Sequence, residues 1–293
     1  MIAIVFNPTA RGEKALAFQH VVRDLPGNPL LLPTRGPGDA TQLAATAANQ
    51  GADVVVAAGG DGTVNEVVNG LASLPAHQRP ALGVLPLGTV NVFARELRIP
   101  TRLDSAWDLV RAARTRRVDL GLATHTSGQR RFIQMAGAGL DALAIARVNW
   151  RLKKVVGPLA YLWAGLGALL SGVPPVTVTG GPATVQGQLA LLGNGQLYGG
   201  PFPVFPRAAP DDGRLDLALL KRVHPLALLR AVVAAYRGRL LELPIVVHQQ
   251  SAEFRWECPS GPMPFEVEGD LIGALPVSFT IEPAALRVMV PNT

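Results

Sequence analysis

The sequence predicts an α/β domain built on a doubly wound parallel sheet, followed by a β-rich, sandwich-like domain with a few helices. Three observations carry this. Apolar β-type runs alternate with helical periodicity through the first half. From about Arg117 short β-type runs, separated by Gly, Pro and Asp-Gly turns, take over. Of 293 residues, 48% are hydrophobic and only 5% aromatic, which is ample aliphatic material for more than one core. The expected domains are 1–117 and 118–293, with the extreme C-terminus able to pack back on the first.

In order, residues 2–6 form a short β-type run, 13–25 a helical pattern and 30–32 a second strand. A helix opens at Gly38-Asp39-Ala40 and reaches about Gln50; 53–58 is a buried strand, 63–74 a helix and 81–85 a strand. Helical patterns return at 89–97 and 104–114. In the second half β-type runs fall at 118–123, 131–136, 176–179, 188–192, 215–220, 245–247, 265–268, 277–281 and 287–290. Helical patterns fall there at 142–153, 159–170 and 225–237, and no internal repeat is evident.

The net charge of +6 suits anionic partners: nucleic acid, anionic lipid or phosphorylated substrates. Aromatic and basic residues do not interleave as in single-strand binders, and zinc-finger spacing is absent, so no nucleic-acid partner is expected. Cys258 is the single cysteine, which rules out an intrachain disulfide and fits a reducing cytoplasm. The N-terminus lacks a basic leader, so a cytoplasmic location is expected. Residues 155–173 carry no charge, yet they hold several glycines and follow Arg147, Arg151, Lys153 and Lys154. This favours a buried or surface-dipping helix over a membrane span, with Trp150, Tyr161 and Trp163 suited to an interface.

The stretch richest in chemistry runs from Asp53 through Gly59-Gly60-Asp61-Gly62-Thr63 to Asn65 and Glu66. A buried strand gives way to glycines, an acid and a helix start. Glycines let backbone N–H groups approach a phosphate, and a helix N-terminus adds donors and a positive dipole end. Asp61 makes sense there as a Mg²⁺ holder. Structurally, Thr63 and Glu66 have capping-box spacing, and Gly and Asp are common turn formers. Neither a G-x-x-x-x-G-K-[ST] loop nor a G-x-G-x-x-G fingerprint occurs.

A second strand-to-helix turn follows at Pro86-Leu87-Gly88-Thr89-Val90-Asn91. Ligands of open α/β sheets bind at the carboxyl ends of strands, where Asn7 and Thr34 would also lie.

These residues resemble the diacylglycerol kinase and sphingosine kinase superfamily, in particular its bacterial lipid kinases. The resemblance covers nearly the whole chain: Asn7-Pro8 with Gly12, Gly38-Asp39-Ala40, GGDGTVNEV at 59–67 and PLGTVN at 86–91. It continues with Gly137-Ala138-Gly139-Leu140-Asp141, Gly199-Gly200, Asp212-Gly213-Arg214-Leu215-Asp216 and Phe265-Glu266-Val267-Glu268-Gly269-Asp270. GGDGT alone is shared with NAD kinases; the ordered set through both halves is far more specific.

The resemblance implies ATP and Mg²⁺ as cofactors and a membrane lipid as substrate, with the active site between the two domains. It places Asn7, Thr34, Gly59, Gly60, Asp61, Gly62, Thr63, Asn65, Glu66, Gly88 and Thr89 at the nucleotide. It gives Asp212 a structural Mg²⁺, helped by the carbonyls of Ala209 and Arg214; a plain Asp-Gly turn is the structural alternative. The family typically has Asp-Gly-Glu where this chain has Glu268-Gly269-Asp270, so Asp270 takes the place of the general base, one methylene shorter. A tighter cleft, a shared role for Glu268 or reduced activity would follow. Val92 replaces an Asp found in many relatives, which weakens any specific claim to diacylglycerol.

The expected activity is transfer of the ATP γ-phosphate to a lipid hydroxyl, diacylglycerol-like, sphingoid or phosphatidylglycerol-like, catalysed by Asp270 and Asp61. Peripheral contact with the anionic inner face of the membrane is expected through the basic and apolar residues up to 173. A homodimer is left open. An NAD kinase-like enzyme and a non-catalytic lipid or nucleotide sensor are the competing readings.

Overall fold

The computed structural model describes residues 1–8, 13–112, 114–147, 167, 169 and 172–291. The chain divides into two compact units, one of Met1–Leu120 with Pro283–Thr293 and one of Gly121–Glu282. The expected helix at 159–170 and the membrane-facing residues around it lie almost wholly outside the described residues.

In the first unit, β1 (Ile2–Phe6), β2 (Leu30–Pro33), β3 (Val54–Gly59) and β4 (Ala81–Pro86) pair in parallel in the order β2-β1-β3-β4. These strands are continuous apolar runs because helices cover both sheet faces. Ile4, Phe6, Val56, Ala58 and Leu85 meet α1 (Glu13–Val21) and α5 (Leu103–Arg111) through Phe18, Trp107 and Val110. The alternate residues of the strands therefore serve α2 (Asp39–Asn49) and α3 (Asp61–Ala72), which pack on β1 and β3. These two helices touch closely at Gly70, where a Cβ would stand 2.2 Å from the carbonyl oxygen of Thr41.

The first half thus forms as the sequence predicts, with two shifts in helix starts. Helix α3 begins at Asp61 rather than Thr63. The short α4 is confined to Val92–Glu96, because Asn91 adopts a left-handed φ of 53° and cannot continue a helix from Thr89.

The second unit is a β-sandwich. One layer is antiparallel, ordered β14 (Val246–Ser251), β13 (Leu215–Leu220), β10 (Leu189–Gly193), β7 (Met135–Gly139), β16 (Pro264–Val267) and β17 (Asp270–Ala274). The other contains β15 (Glu253–Glu257) between β8 (Val176–Thr179) and the start of β18 (Val277–Met289). Strands β5 (Thr115–His125) and β6 (Gly128–Phe132) pair antiparallel through 121–125 and 128–132. Phe132, Leu192, Leu217, Trp256, Phe265 and Phe279 fill the space between the layers. On the outer face of the first layer, Leu189, Leu191 and Leu220 pack with Leu140 of α6 (Leu140–Arg147) and Ala231 of α7 (Pro225–Tyr236).

Strands β9 (Val185–Gly187), β15 and β17, and the short antiparallel pair β11 (Leu197–Tyr198) and β12 (Phe202–Pro203), were not expected from the sequence. The residues at 131–136 divide between β6 and β7. Conversely, 277–281 and 287–290 belong to one strand, β18, despite Pro283 and a positive φ at Ala284. An Asp119 carboxylate oxygen accepts the Ala284 N–H at 2.6 Å, which supports the backbone where it would otherwise break.

Candidate active site

The parallel register places Asn7, Thr34, Gly59-Gly60 and Leu87–Thr89 side by side beyond the carboxyl ends of β1 to β4. A cavity of about 250 Å³ opens there, lined by Asn7, Gly59, Gly60, Thr63, Gly88 and Thr89, with Phe18 and Leu87 as apolar wall. Its floor depends on glycine. A Cβ on Gly59 would fall 2.5 Å from Thr63 Oγ1, and one on Gly88 would fall 2.5 Å from the Gly60 Cα. The first bond across the start of α3 runs from Val64 N–H to Gly60 O, 3.1 Å. The N–H groups of Gly62 and Thr63 therefore have no intrahelical acceptor and are available to an anion.

Asn91 shapes the second loop. Its Oδ1 accepts the Gly88 N–H at 2.9 Å and its Nδ2 donates to the Gly88 carbonyl at 2.7 Å. Asp61 ties the loops together, its Oδ1 accepting the Phe93 N–H at 3.3 Å. Burial raises the Asp61 carboxyl above the usual range, and the N–H groups of Phe93, Val92 and Asn91 oppose that rise. The acid that the sequence marks for Mg²⁺ thus also holds the start of α4.

Thr34 stands at the same sheet edge, its N–H donating to Phe6 O at 2.8 Å, but outside the cavity lining. Glu66 is turned elsewhere. Its carboxylate accepts the N–H of Gly38 at 2.9 Å and of Ala40 at 3.2 Å, the first donors of α2. The capping box suggested by Thr63 and Glu66 is therefore not formed: Gly60 is the N-cap of α3 and no side chain caps it. The spacing was right for a cap, but the donors it serves belong to the neighbouring helix. Asn65 is buried, its Oδ1 accepting from Asn69 at 3.0 Å while its Nδ2 finds no partner.

In the second unit, Glu268 and Gly269 turn with φ of 54° and 84° and Asp270 begins β17, exposed to solvent. The two exchanged acids have different surroundings. Glu268 Oε1 accepts the N–H of Ile133 at 2.7 Å and of Gln134 at 2.8 Å, and so clamps the turn to the segment between β6 and β7.

A buried cluster beneath this turn went unassigned in the sequence. The Tyr198 hydroxyl lies 2.7 Å from Asp141 Oδ2 and 2.8 Å from Glu266 Oε1, and Glu266 Oε2 accepts the Gly269 N–H at 2.6 Å. Burial, then the neighbouring Asp141, push the Glu266 carboxyl well above its usual range; burial likewise raises Asp141. Gly137 leaves room for them, since a Cβ there would stand 2.3 Å from Asp141 Oδ2 and 2.5 Å from the Tyr198 oxygen. The available signal was Glu266 itself, an acid inside a strand whose neighbours Phe265 and Val267 face the sandwich core.

Asp212 sits in an Asx turn, its Oδ1 accepting the Arg214 N–H at 3.0 Å, and its own N–H donates to Ala209 O at 3.3 Å. Among the described residues no three His, Cys, Asp or Glu side chains converge as a metal cage. The Asp212 carboxylate with the carbonyls of Ala209 and Arg214 is an oxygen-only donor set, of the hard type that Mg²⁺ takes together with waters.

Comparison with known proteins places both units. Residues 1–123 match the diacylglycerol kinase catalytic domain, and residues 134–290 match the YegS C-terminal NAD kinase beta sandwich-like domain. The chain is 35% identical over 259 residues to a diacylglycerol kinase of Staphylococcus saprophyticus, covering 87% of this chain and 82% of that one. It is 31% identical over 302 residues to a diacylglycerol kinase of Staphylococcus aureus strain MRSA252, covering 99% and 92%. A solved chain from Bacillus anthracis str. Sterne shares the fold with a TM-score of 0.80 at 23% identity, covering 99% and 95%. A second crystal structure from that organism, of a diacylglycerol kinase, matches with a TM-score of 0.73 at 22% identity, covering 99% and 96%.

Proposed function

The chain belongs to the diacylglycerol kinase family, a family of kinases, and on that premise we propose that it moves the γ-phosphate of ATP onto a hydroxyl of a membrane lipid with the help of Mg²⁺. The observation that carries the reading is the backbone contact of Gly60 with Gly88 on the floor of a cavity at the sheet edge. Such a floor brings N–H donors and a helix N-terminus to the phosphates without side chains in between. Asn7, Thr63 and Thr89 line the same space and would fix the nucleotide by hydrogen bonds.

Phosphoryl transfer asks for in-line placement, neutralised phosphate charge and a proton acceptor for the alcohol. The loop N–H groups would supply part of the neutralisation, and Mg²⁺, when bound, the remainder. Asp61 is proposed to hold that ion, directly or through water; separately, the Asp212 carboxylate with the carbonyls of Ala209 and Arg214 is proposed to hold a structural Mg²⁺. Asp270 would take the proton from the lipid hydroxyl, since Glu268 Oε1 already serves two backbone N–H groups while Asp270 is exposed. The substrate class is a diacylglycerol-like, sphingoid or phosphatidylglycerol-like alcohol, presented by a membrane.

The test is incubation with Mg²⁺ and γ-labelled ATP against an extracted lipid mixture and, separately, NAD. Label entering the organic phase supports the proposal. Label appearing only in NADP, or in neither, sinks it, and mass spectrometry of the labelled lipid names the acceptor.

A further inference from the structure

Helix α7 breaks the usual pattern of a surface helix. Leu226, Leu229, Val232, Val233 and Tyr236 are 44% to 71% exposed, and they make up most of the large apolar side chains left exposed among the described residues. Residues 226, 229, 233 and 236 recur at helical spacing and form one outward stripe about 15 Å long. The inward face is anchored by Ala227 and Ala231, both buried, Ala231 packing in the cluster of Leu220 and Leu240, with Leu228 and Ala235 partly buried against the same cluster. The helix is well built, with His224 Nδ1 accepting the Ala227 N–H at 3.3 Å and Pro225 in the first turn. Its outward stripe is thus a property of a formed helix.

The charges around the stripe have one sign. Lys221, Arg222, Arg230, Arg237 and Arg239 lie in or beside α7, and no acid occurs between positions 221 and 241. Glu242, the next acid, is paired with Arg239 at 2.7 Å. Arg230 and Arg237, seven residues apart, run along one edge of the stripe. Tyr236 is the most exposed of the apolar residues, its ring edge-on to Phe202 at 6.4 Å between centroids. A half-supported tyrosine of this kind suits the headgroup level of a bilayer.

We propose that the exposed face of α7 is a docking surface for an anionic lipid bilayer, lying in the interface with its leucine and valine stripe inserted and its arginine edge on the headgroups. Charge decides between this occupant and a second copy of the chain. In a two-fold contact of α7 with itself, Arg230, at the middle of the helix, would face its own counterpart, and no acid occurs between positions 221 and 241 to offset the pair. An anionic surface offers both what the stripe and what the edge lack. The inference rests on the lipid-kinase reading for its purpose, since a membrane-held substrate requires the enzyme to reach the membrane. Among the described residues no helix is long and apolar enough to cross a membrane.

The experiment is cosedimentation of the full chain, without nucleotide, with vesicles of phosphatidylglycerol and phosphatidylcholine and with phosphatidylcholine alone. Wild type is expected to bind the anionic vesicles, less so as salt rises, and the neutral ones weakly. The pair Leu229→Glu with Tyr236→Glu should lower binding about tenfold or more, and Arg230→Glu with Arg237→Glu should lower it and flatten the salt dependence. The milder pair Leu229→Ala with Tyr236→Ala, checked by circular dichroism, keeps the comparison valid if the acidic pair fails to fold. Equal vesicle binding by wild type and folded variants overturns the inference. So does a lipid-free dimer that the same variants split, because a second copy would then cover the stripe. Phosphorylation of detergent-dispersed lipid, run in parallel, should be unchanged in the variants. If wild type phosphorylates none, the catalytic reading falls while the docking surface is still judged by sedimentation.

Discussion

Gly60 and Gly88 meet backbone to backbone across the two strand-end loops. A Cβ on Gly88 would stand 2.5 Å from the Gly60 Cα and 2.7 Å from Asn91 Oδ1; one on Gly60 would stand 3.3 Å from the Gly88 Cα. The closeness lets both loops line one cavity, and between Gly60 and Gly88 there is only backbone, which cannot give way as a flexible side chain would. Gly88→Ala is therefore expected to lower stability by about 1–3 kcal/mol and to weaken nucleotide binding at least about tenfold. Gly62, within the same motif, has nothing within 4 Å of its would-be Cβ and lies inside α3. Gly62→Ala should raise stability by about 0.5–1 kcal/mol through helix propensity. Urea unfolding of the two variants, with calorimetric nucleotide titration of Gly88→Ala, checks the contrast; equal stabilities would show that the loops are not packed as described.

Glu66 carries the start of a helix that is not its own. Removing its carboxylate leaves the Gly38 and Ala40 N–H groups without their acceptor. Glu66→Ala should cost about 1–2 kcal/mol, the magnitude of a lost N-cap, and Glu66→Gln about half of that, because one acceptor oxygen remains. Denaturant midpoints at constant m-value give the measurement. A fully stable Glu66→Ala whose nucleotide affinity collapsed would return Glu66 to the nucleotide site.

The fold was legible because the first half obeys two strong periods. Strands such as Val54–Gly59 are apolar throughout, as buried parallel strands are, and the glycines after them mark where the chain turns into a helix. What escaped was non-local. The partner of Glu66 lies 28 residues away at Gly38, and no spacing rule links them. Strand β15 alternates charged with buried positions, Phe254 and Trp256 pointing in, yet Glu253, Arg255 and Glu257 hide it among polar turns. Strand β17 has neither alternation nor burial at its start and exists because β16 pairs with it. The triad of Asp141, Tyr198 and Glu266 brings together residues 57 and 68 positions apart, so only the sheet register reveals it.

The exchanged acids at 268 and 270 should separate into two phenotypes. Glu268→Ala removes the acceptor of two buried backbone donors, at Ile133 and Gln134, and should lower stability by about 1–3 kcal/mol. Asp270→Asn sits on the surface and should leave the melting temperature unchanged while lowering kcat about 10²–10⁴-fold, the loss expected for a general base. Melting curves with steady-state kinetics on both variants settle the roles. Wild-type turnover in Asp270→Asn would remove it from the reaction.

Glu266 links stability to pH with a definite sign. Its carboxyl is raised well above the 4.5 of a free glutamate, by burial first and then by the charge of Asp141. Above pH 4.5 the unfolded chain has released this proton while the folded chain still holds it, so folding takes up a proton. The stabilisation is complete below that value and is lost as pH rises toward the folded value, at up to about 1.4 kcal/mol per pH unit. Glu266→Gln cannot ionise, and its amide can still bridge Tyr198 and the Gly269 N–H. The variant should therefore lose stability less steeply than wild type from pH 4.5 upward. Thermal midpoints of the two proteins across that range give the comparison. Parallel profiles would mean that Glu266 is already ionised in the folded state and that the proton of the cluster resides on Asp141.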